Sequence, residues 1–469
     1  MEEITLRELV DATNGTLLGE YRNLDTRITG AKSDNRKCGA GDVFFAFVGE
    51  NTDGHRYVAG ALEAGAAGAV VSKEPETFLP GKFYVKVADT LQAAGDLAAV
   101  YRRKFGIPVI GVTGSVGKTT MKDMIAAVLS VKFNVLKTEA NFNNNIGLPR
   151  TVLRLDKDTE IAVLEMGMNH KGEISSLVRI AQPTCAVITN VGDAHIGNLG
   201  SRENIFKAKS EIFEGLQEGG FAVMNADDDY LPQLQNDKEK QEKFTFTWIG
   251  ESADAEYRAV NIDDTLEECM KFRAVTPNGD FDVTVPALGR HMIYPCLAAA
   301  ALGQHFGMSN DEIAQGIAGY VPTAMRMETY RCPGNIIIYN DTYNANPQSM
   351  KAGLVTLSHT KAGRRVAVLG DMLELGEMEE ELHRGVGRAA AEAGIDTLLT
   401  VGERAKFIAD EAAKRGLADV RSFSSAEEAK ETLRQLIAPD TALYFKASHL
   451  MALEKLAAFA KEEAEKLSS

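Results

Sequence analysis

The chain has 469 residues, 45% of them apolar, and a formal net charge of −15. That length accommodates about three domains of ~150 residues, and the apolar content excludes a disordered chain. The acidic balance argues against a general nucleic-acid surface, which needs a positive field, so anionic ligands must be held in local pockets.

The N-terminus, Met1-Glu2-Glu3-Ile4, is acidic and lacks a long apolar core, so no signal peptide is expected. No uncharged apolar run reaches ~18 residues, and no membrane span is expected. The five cysteines, Cys38, Cys185, Cys269, Cys296 and Cys332, are scattered and without CxxC spacing. They read as reduced, structural thiols of a cytoplasmic protein.

The first hundred residues read as a small α/β domain. Strands are expected at Asp42 to Val48, Ala69 to Val71 and Phe83 to Val87. Helices are expected from Tyr57 to Gly65 and, capped by Asp89 or Thr90, to about Arg103. Two polar clusters lie between them, Ser33-Asp34-Asn35-Arg36 and Thr52-Asp53-Gly54-His55. Turn chemistry accounts for both, and taken alone is the preferred reading. The basic run Arg102-Arg103-Lys104 marks a boundary, giving a first domain at 1–104.

The second domain, 105–321, opens with Gly111-Val112-Thr113-Gly114-Ser115-Val116-Gly117-Lys118-Thr119-Thr120. An apolar strand, Ile107 to Val112, precedes it, and a helix, Thr120 to Val131, is expected after it. A strand, a glycine turn and a helix make a phosphate cradle, because backbone N–H groups point at the anion. Lys118 would reach the terminal phosphates, and the Thr119 hydroxyl would ligate Mg²⁺. Val112 replaces the first glycine of the strict spacing, so an ordinary glycine turn is the competing reading.

Thr138 to Pro149 is dense in asparagine, whose amides suit sugar hydroxyls and peptide carbonyls; a self-bonded loop is the alternative. The strand Ile161 to Gly167 carries Glu165, and Asp193 and His195 follow the strand Cys185 to Gly192. Ligands of doubly wound sheets sit beyond the C-terminal strand ends. Glu165 is therefore a candidate Mg²⁺ ligand, and His195 a candidate ligand or orienting donor. Phe206 to Phe213 reads as one helix whose lysines, Lys207 and Lys209, face solvent. A strand at Phe221 to Met224, a charged surface segment at Gln235 to Lys243, a hairpin turned at Asn278-Gly279 and a helix from Leu297 to Phe306 complete the domain.

The third domain, 322–469, is an open α/β unit. Its strands are expected at Ile336 to Tyr339, Val366 to Leu369, Thr397 to Val401 and Leu443 to Phe445, with a packed amphipathic helix from Met451 to Lys466. Asp341 and Asp371 stand at strand ends. A nucleotide cradle flanked by two other domains points to ligation rather than simple hydrolysis, since an acyl phosphate shielded from water can be captured by a bound amine.

Four segments carry a resemblance that spans nearly the whole chain. They are the phosphate loop, Asn141-Phe142-Asn143-Asn144-Asn145-Ile146-Gly147-Leu148-Pro149, Asp341-Thr342-Tyr343-Asn344-Ala345-Asn346-Pro347-Gln348-Ser349-Met350, and Leu369-Gly370-Asp371-Met372-Leu373-Glu374-Leu375-Gly376. Together they resemble the Mur ligases of peptidoglycan synthesis. The resemblance implies a three-domain α/β fold with a small N-terminal domain, a central P-loop domain on a parallel sheet and a C-terminal Rossmann-like domain. It implies an ATP-dependent ligase that adds D-alanyl-D-alanine to UDP-MurNAc-tripeptide through an acyl phosphate.

It also implies residue roles. ATP would be bound by Thr113, Gly114, Ser115, Val116, Gly117, Lys118, Thr119 and Thr120, with Arg326 and Asp341 closing on it. Two Mg²⁺ sites would draw on Thr119, Glu165, His195 and Lys209, the last as a carbamylated N6-carboxylysine; Lys118, Glu165, His195 and Lys209 would form the catalytic set. Ser33, Asn35 and Arg36 match the uridine-nucleotide segment, Thr138, Asn141 and Asn144 would meet the muropeptide, and Tyr343, Asn344 and Asn346 line the D-alanyl-D-alanine side. Two departures from the family stand out: Met292 and Pro295 where it has asparagines, and Lys446-Ala447-Ser448-His449 where it has Lys-Gly-Ser-Arg. A monomer is expected. The alternatives are another ligase of the superfamily, acting on UDP-MurNAc-dipeptide or on folylpolyglutamate, a P-loop nucleotide switch, and a non-catalytic muropeptide-binding module.

Overall fold

Short β-branched and aromatic runs bounded by turn residues alternate with Ala- and Leu-rich amphipathic stretches, which is the pattern of strands covered by helices. The computed structural model describes residues 1–49 and 52–467. The chain packs as two compact units. The first holds Met1–Thr113, Phe133–Val187 and Ser210–Ala222, and the second Gly114–Lys132, Ile188–Lys209 and Val223–Ser469.

In the first unit, β1 (Ile4–Thr5) pairs with β3 (Arg27–Ile28). A five-stranded sheet joins β2 (Thr16–Leu18), β4 (Gly30–Lys32), β5 (Asp42–Phe45), β6 (Gly68–Val71) and β7 (Phe83–Lys86) in the order β2-β7-β6-β5-β4. All neighbours are parallel except β2 with β7. Phe44, Ala61, Leu62 and Tyr84 form part of its buried core. Three further parallel strands, β8 (Val109–Thr113), β9 (Val135–Lys137) and β10 (Ile161–Glu165), lie in the order β8-β10-β9, and β11 (Cys185–Ile188) lies beside β8.

Both polar clusters of the N-terminal region build turns. Asp34 caps a 3₁₀ turn at Asn35–Lys37, and Asp53 caps another at Gly54–Tyr57. His55 holds the second turn down: Nδ1 lies 2.6 Å from Asp53, and Nε2 accepts the Ser72 N–H at 3.0 Å. In the basic run at 102–104, read as a boundary, Arg103 and Lys104 are exposed and Arg102 is not. Arg102 is buried, and its guanidinium donates to the carbonyls of Ala181 at 3.0 Å and Ile107 at 2.9 Å. Tyr101 beside it donates to the Leu155 carbonyl at 2.6 Å, and burial pushes its phenol up to about 12.

In the second unit, β12 (Phe221–Asn225), β13 (Thr245–Gly250), β14 (Tyr257–Asp263), β15 (Met270–Val275) and β16 (Phe281–Val285) follow in sheet order. β14 runs parallel to β13; β15 and β16 are antiparallel, turned at Asn278-Gly279 as the sequence predicts. The central sheet is thus parallel only in part. The helix Lys118–Leu129 packs on the helices Ile293–His305 and Asn310–Ala318. It begins two residues before the expected Thr120, directly on the glycine turn.

The last sheet comprises β17 (Glu328–Cys332), β18 (Ile336–Asn340), β19 (Arg364–Gly370), β20 (Thr397–Val401), β21 (Asp419–Phe423) and β22 (Thr441–Lys446). Their order is β17-β18-β22-β19-β20-β21, with β17 an antiparallel edge. Leu456, Ala457, Ala460 and Ala464 of the C-terminal helix Glu454–Lys466 pack into the core with Ile338, Leu443 and Phe445.

The region around Lys209 corrects the sequence reading. The helix Arg202–Ser210 gives way to a 3₁₀ turn at Glu211–Glu214, so Phe206 and Phe213 do not share one continuous helix. Lys207 is exposed, but Lys209 is 1% exposed. Among the described residues no helix is long and apolar enough to cross a membrane.

Candidate functional site

The phosphate loop is built within the second unit. Gly114 has φ +151°, and a Cβ there would lie 1.8 Å from the Thr189 Oγ1. Asn190 braces the next residues: its carbonyl accepts from Ser115 N, its Oδ1 accepts from Val116 N, and its Nδ2 donates to the Val116 carbonyl, each at 3.0 Å. Ser115 Oγ accepts the Gly192 N–H at 2.9 Å. The amides of Ser115 and Val116 are thus occupied by protein. Met121 N donates to Gly117 O at 2.8 Å, so helical bonding starts there. The amides before it, from Gly117 to Thr120, have no intrahelical acceptor and form the anion-facing set. Gly117, at φ +78°, has no protein atom within 4 Å of where a Cβ would project.

These two glycines predict different failures. Gly114→Ala should cost about 2 kcal/mol of stability, through overpacking and backbone strain, read by denaturant unfolding. Gly117→Ala should cost about 1 kcal/mol, from the left-handed backbone, while weakening nucleotide binding because its methyl points into open space beside the amides.

Lys118 folds back, with Nζ donating to Gly114 O at 2.9 Å. Lys209 is buried beside it, with no ion pair among the described residues. Burial first, then the Lys118 cation, hold its ammonium well below the usual lysine range. His195 is in left-handed backbone at φ 63°, and its Nδ1 lies 2.7 Å from Glu374 Oε2. The imidazole lowers the Glu374 carboxyl, against the opposing effect of burial.

Asp341, at the end of β18, is a buried ion-pair partner. Its Oδ2 accepts from Lys446 Nζ at 2.6 Å and from Tyr444 Oη at 3.2 Å. Its Oδ1 accepts from Met327 N at 3.3 Å, next to Arg326. Burial lowers the Lys446 ammonium, and Asp341 opposes it. The Arg326 guanidinium stacks 4.1 Å over the Tyr343 ring. Asn344 Oδ1 accepts from Ala345 N at 2.9 Å, and Asn346 caps the helix Pro347–His359. Met292 and Pro295, which replace the family's asparagines, are buried.

In the first unit, Glu165 ends β10 with both backbone and side chain fixed. Its N–H donates to the buried Thr138 Oγ1 at 3.0 Å, and its Oε1 accepts from Asn143 Nδ2 at 2.9 Å. Its Oε2 is buried and has no hydrogen-bond partner. An orphaned buried carboxylate oxygen is expensive unless a cation meets it, so Glu165 fits a divalent ion. Among the described residues no three His, Cys, Asp or Glu side chains cluster as a metal site.

Thr113 is buried, its hydroxyl donating to Met166 O at 2.8 Å. Asn144 Oδ1 closes a turn by accepting from Ile146 N and Gly147 N, and Asn141 is exposed. A cavity of about 190 Å³ is lined by Ser33, Asp34, Lys37, Glu139, Phe142 and Arg150, among others. Arg36 forks onto Asp34, with both bonds at 2.9 Å, and holds that carboxyl at about 2. Asn35 follows the cap in the same turn.

Sequence reasoning did not single out Asn143, Asn190, Glu374 or Lys446 as site residues. Asn190 had a visible signal, an amide just past a parallel strand. Asn143 had none that separated it from its neighbours.

Comparison with known proteins agrees with this architecture. Three family models match in turn: Mur ligase family, catalytic domain, at residues 27–118; Mur ligase middle domain at 112–303; and Mur ligase, glutamate ligase domain, at 325–449. A UDP-N-acetylmuramoyl-tripeptide–D-alanyl-D-alanine ligase of Bacillus subtilis is 39% identical over 455 residues, covering 96% of this chain and 97% of the relative. MurF from Acinetobacter baumannii aligns at TM-score 0.91 and 32% identity, covering 98% of this chain and 99% of that one. The MurF ligase from Thermotoga maritima, solved in complex with ADP, aligns at 0.84 and 27%, covering 95% and 100%. With a braced phosphate loop, a cation-ready glutamate and a relative this similar along almost its whole length, the chain belongs to the Mur ligase family.

Proposed function

We propose that the chain is an ATP-dependent ligase that joins D-alanyl-D-alanine to the third residue of UDP-MurNAc-tripeptide, releasing ADP and phosphate. The observation that supports this reading is the strand–glycine turn–helix loop whose helix-start amides lack intrahelical acceptors, with Lys118 at the head of that helix. The substrates follow from the names of the relatives above. We assign residues 1–104 to the UDP-muropeptide, 105–321 to ATP and 322–469 to the C-terminal ligase domain.

A carboxylate oxygen of the tripeptide attacks the γ-phosphorus. The bond to the bridging oxygen breaks, ADP leaves, and an acyl phosphate forms. The dipeptide amine then attacks the acyl carbon, phosphate departs, and the amine loses its proton. Lys118 and the Gly117–Thr120 amides offset charge on the terminal phosphates as the bond breaks. Glu165 and Thr119, with His195 and Lys209 as a second set, are assigned as Mg²⁺ ligands. Bound Mg²⁺ neutralises phosphate charge and polarises the phosphoryl group. Lys209 would serve as a ligand after carbamylation, when its neutral amine adds to CO₂, loses a proton and becomes a carboxylate-like group. Ser33, Asn35 and Arg36 are assigned to the uridine nucleotide, Thr138, Asn141 and Asn144 to the muropeptide, and Tyr343, Asn344 and Asn346 to the dipeptide.

The test is ADP release with each candidate amine and acid, with mass analysis of the product. Release that requires both UDP-MurNAc-tripeptide and D-alanyl-D-alanine, with the pentapeptide product, is expected. Release with a folate and glutamate would favour the folylpolyglutamate reading, and hydrolysis without an amide product a nucleotide switch.

A further inference from the structure

The C-terminal ends of β18, β22 and β19, three neighbouring parallel strands, deliver Asp341, Lys446 and Asp371 to one edge of their sheet. Such strand ends are where open α/β sheets bind ligands. The turn His449–Met451 follows β22 directly. It is pinned in place: Ser448 N donates to Asp371 O, and Ser448 Oγ accepts from Leu373 N, both at 3.0 Å.

That turn presents an imidazole. The His449 ring lies 5.7 Å from the Tyr343 ring, tilted by 36°. Arg326 is stacked against Tyr343 at 4.1 Å. A tyrosine is thus in contact with a guanidinium and with an imidazole. Lys446 nearby is matched by Asp341, whereas among the described residues neither Arg326 nor His449 has a carboxylate partner. The Arg326 Nε is buried without a hydrogen-bond partner. His449 is exposed, and Leu450 next to it is 84% exposed, an apolar surface beside a polar donor.

We propose that His449 recognises the free carboxylate of the incoming dipeptide. This rests on the ligase reading given above. The dipeptide has one end that must react and one that must not. Its amine has to stay uncommitted to attack the acyl phosphate, so the enzyme must orient it by the other end. A carboxylate accepts a charge-assisted hydrogen bond from the ring N–H, and the alanyl methyl groups pack on Tyr343 and Leu450. Arg326, adjoining the same tyrosine, stays available for the nucleotide. Because the turn is fixed from β19, the donor is held in position before the dipeptide arrives.

The experiment compares D-alanyl-D-alanine with its C-terminal amide as acceptor, in the unmodified enzyme and in His449→Ala and His449→Arg. His449→Ala should raise KM for the dipeptide by about tenfold or more, the loss of a hydrogen bond to a charged group. KM for ATP and for UDP-MurNAc-tripeptide should not move, and the preference for acid over amide should shrink. His449→Arg should restore that preference. An unchanged dipeptide KM with an unchanged acid-over-amide preference overturns the assignment while leaving the ligase reading intact. Failure of the unmodified enzyme to form any amide from D-alanyl-D-alanine overturns the ligase reading, and this assignment with it.

Discussion

Lys118→Ala is expected to lower turnover by roughly 10²–10³-fold, the effect of removing one charged donor from a developing anion. This side chain gives the loop one bond, to Gly114 O, and most of the bracing comes from elsewhere. Asn190 bonds both the N–H and the carbonyl of Val116, and Thr189 donates to the same carbonyl at 2.6 Å. The variant should therefore fold normally, with an unchanged melting temperature, and still bind the UDP-tripeptide. Steady-state ADP release measures the loss. Turnover close to that of the unmodified enzyme would remove Lys118 from the chemistry.

Lys209→Ala is expected to be impaired by about a hundredfold or more, the upper end of what support at a metal site is worth. Short carboxylic acids should partly rescue it. The reasoning starts from burial. A lysine that is 1% exposed, beside a second lysine and without an ion-pair partner among the described residues, is costly to keep charged. Its proton affinity falls, so at neutral pH the unprotonated amine is more abundant than on a surface lysine. Only that form adds CO₂. The sign is clear: raising pH favours the neutral amine and hence the carbamate, and stripping CO₂ from the buffer opposes it. Mass spectrometry under native conditions should find one added CO₂ on the unmodified protein and none on the variant. A fully active Lys209→Ala would end the proposal.

The two lysines also show where sequence reading succeeds and fails. The loop that carries Lys118 was legible because its strand, glycine turn and helix are all local. Lys209 was not. Helical spacing placed it with Lys207 on a solvated face, but the helix stops at Ser210 and the two lysines differ in burial. Burial of a charged side chain depends on distant segments that periodicity does not see.

The same contrast runs through the fold. Parallel strands such as β10 and β20 were legible as continuous apolar runs. The inner strand β14 and the edge strand β17 were not, because half their residues are polar or exposed. In the asparagine-rich run the composition implied ligand contacts without choosing among the amides. The structure gives Asn144 a turn and Asn143 the Glu165 carboxylate. Arg102 read as part of a basic boundary run, and its burial as a tie between carbonyls was not visible in that composition.

The pairing of His195 with Glu374 has a consequence for the ring itself. A neutral imidazole carries a single proton; Glu374 Oε2 lies 2.7 Å from Nδ1, yet that nitrogen makes no hydrogen bond in the structure, so the proton is held there only once ring and carboxylate turn into line. The opposite nitrogen then keeps its lone pair, the form in which a histidine can act as a Lewis base. The tautomer of a residue just past β11 is thereby open to selection by a glutamate just past β19, and a substitution such as Glu374→Gln removes the charge that would select it.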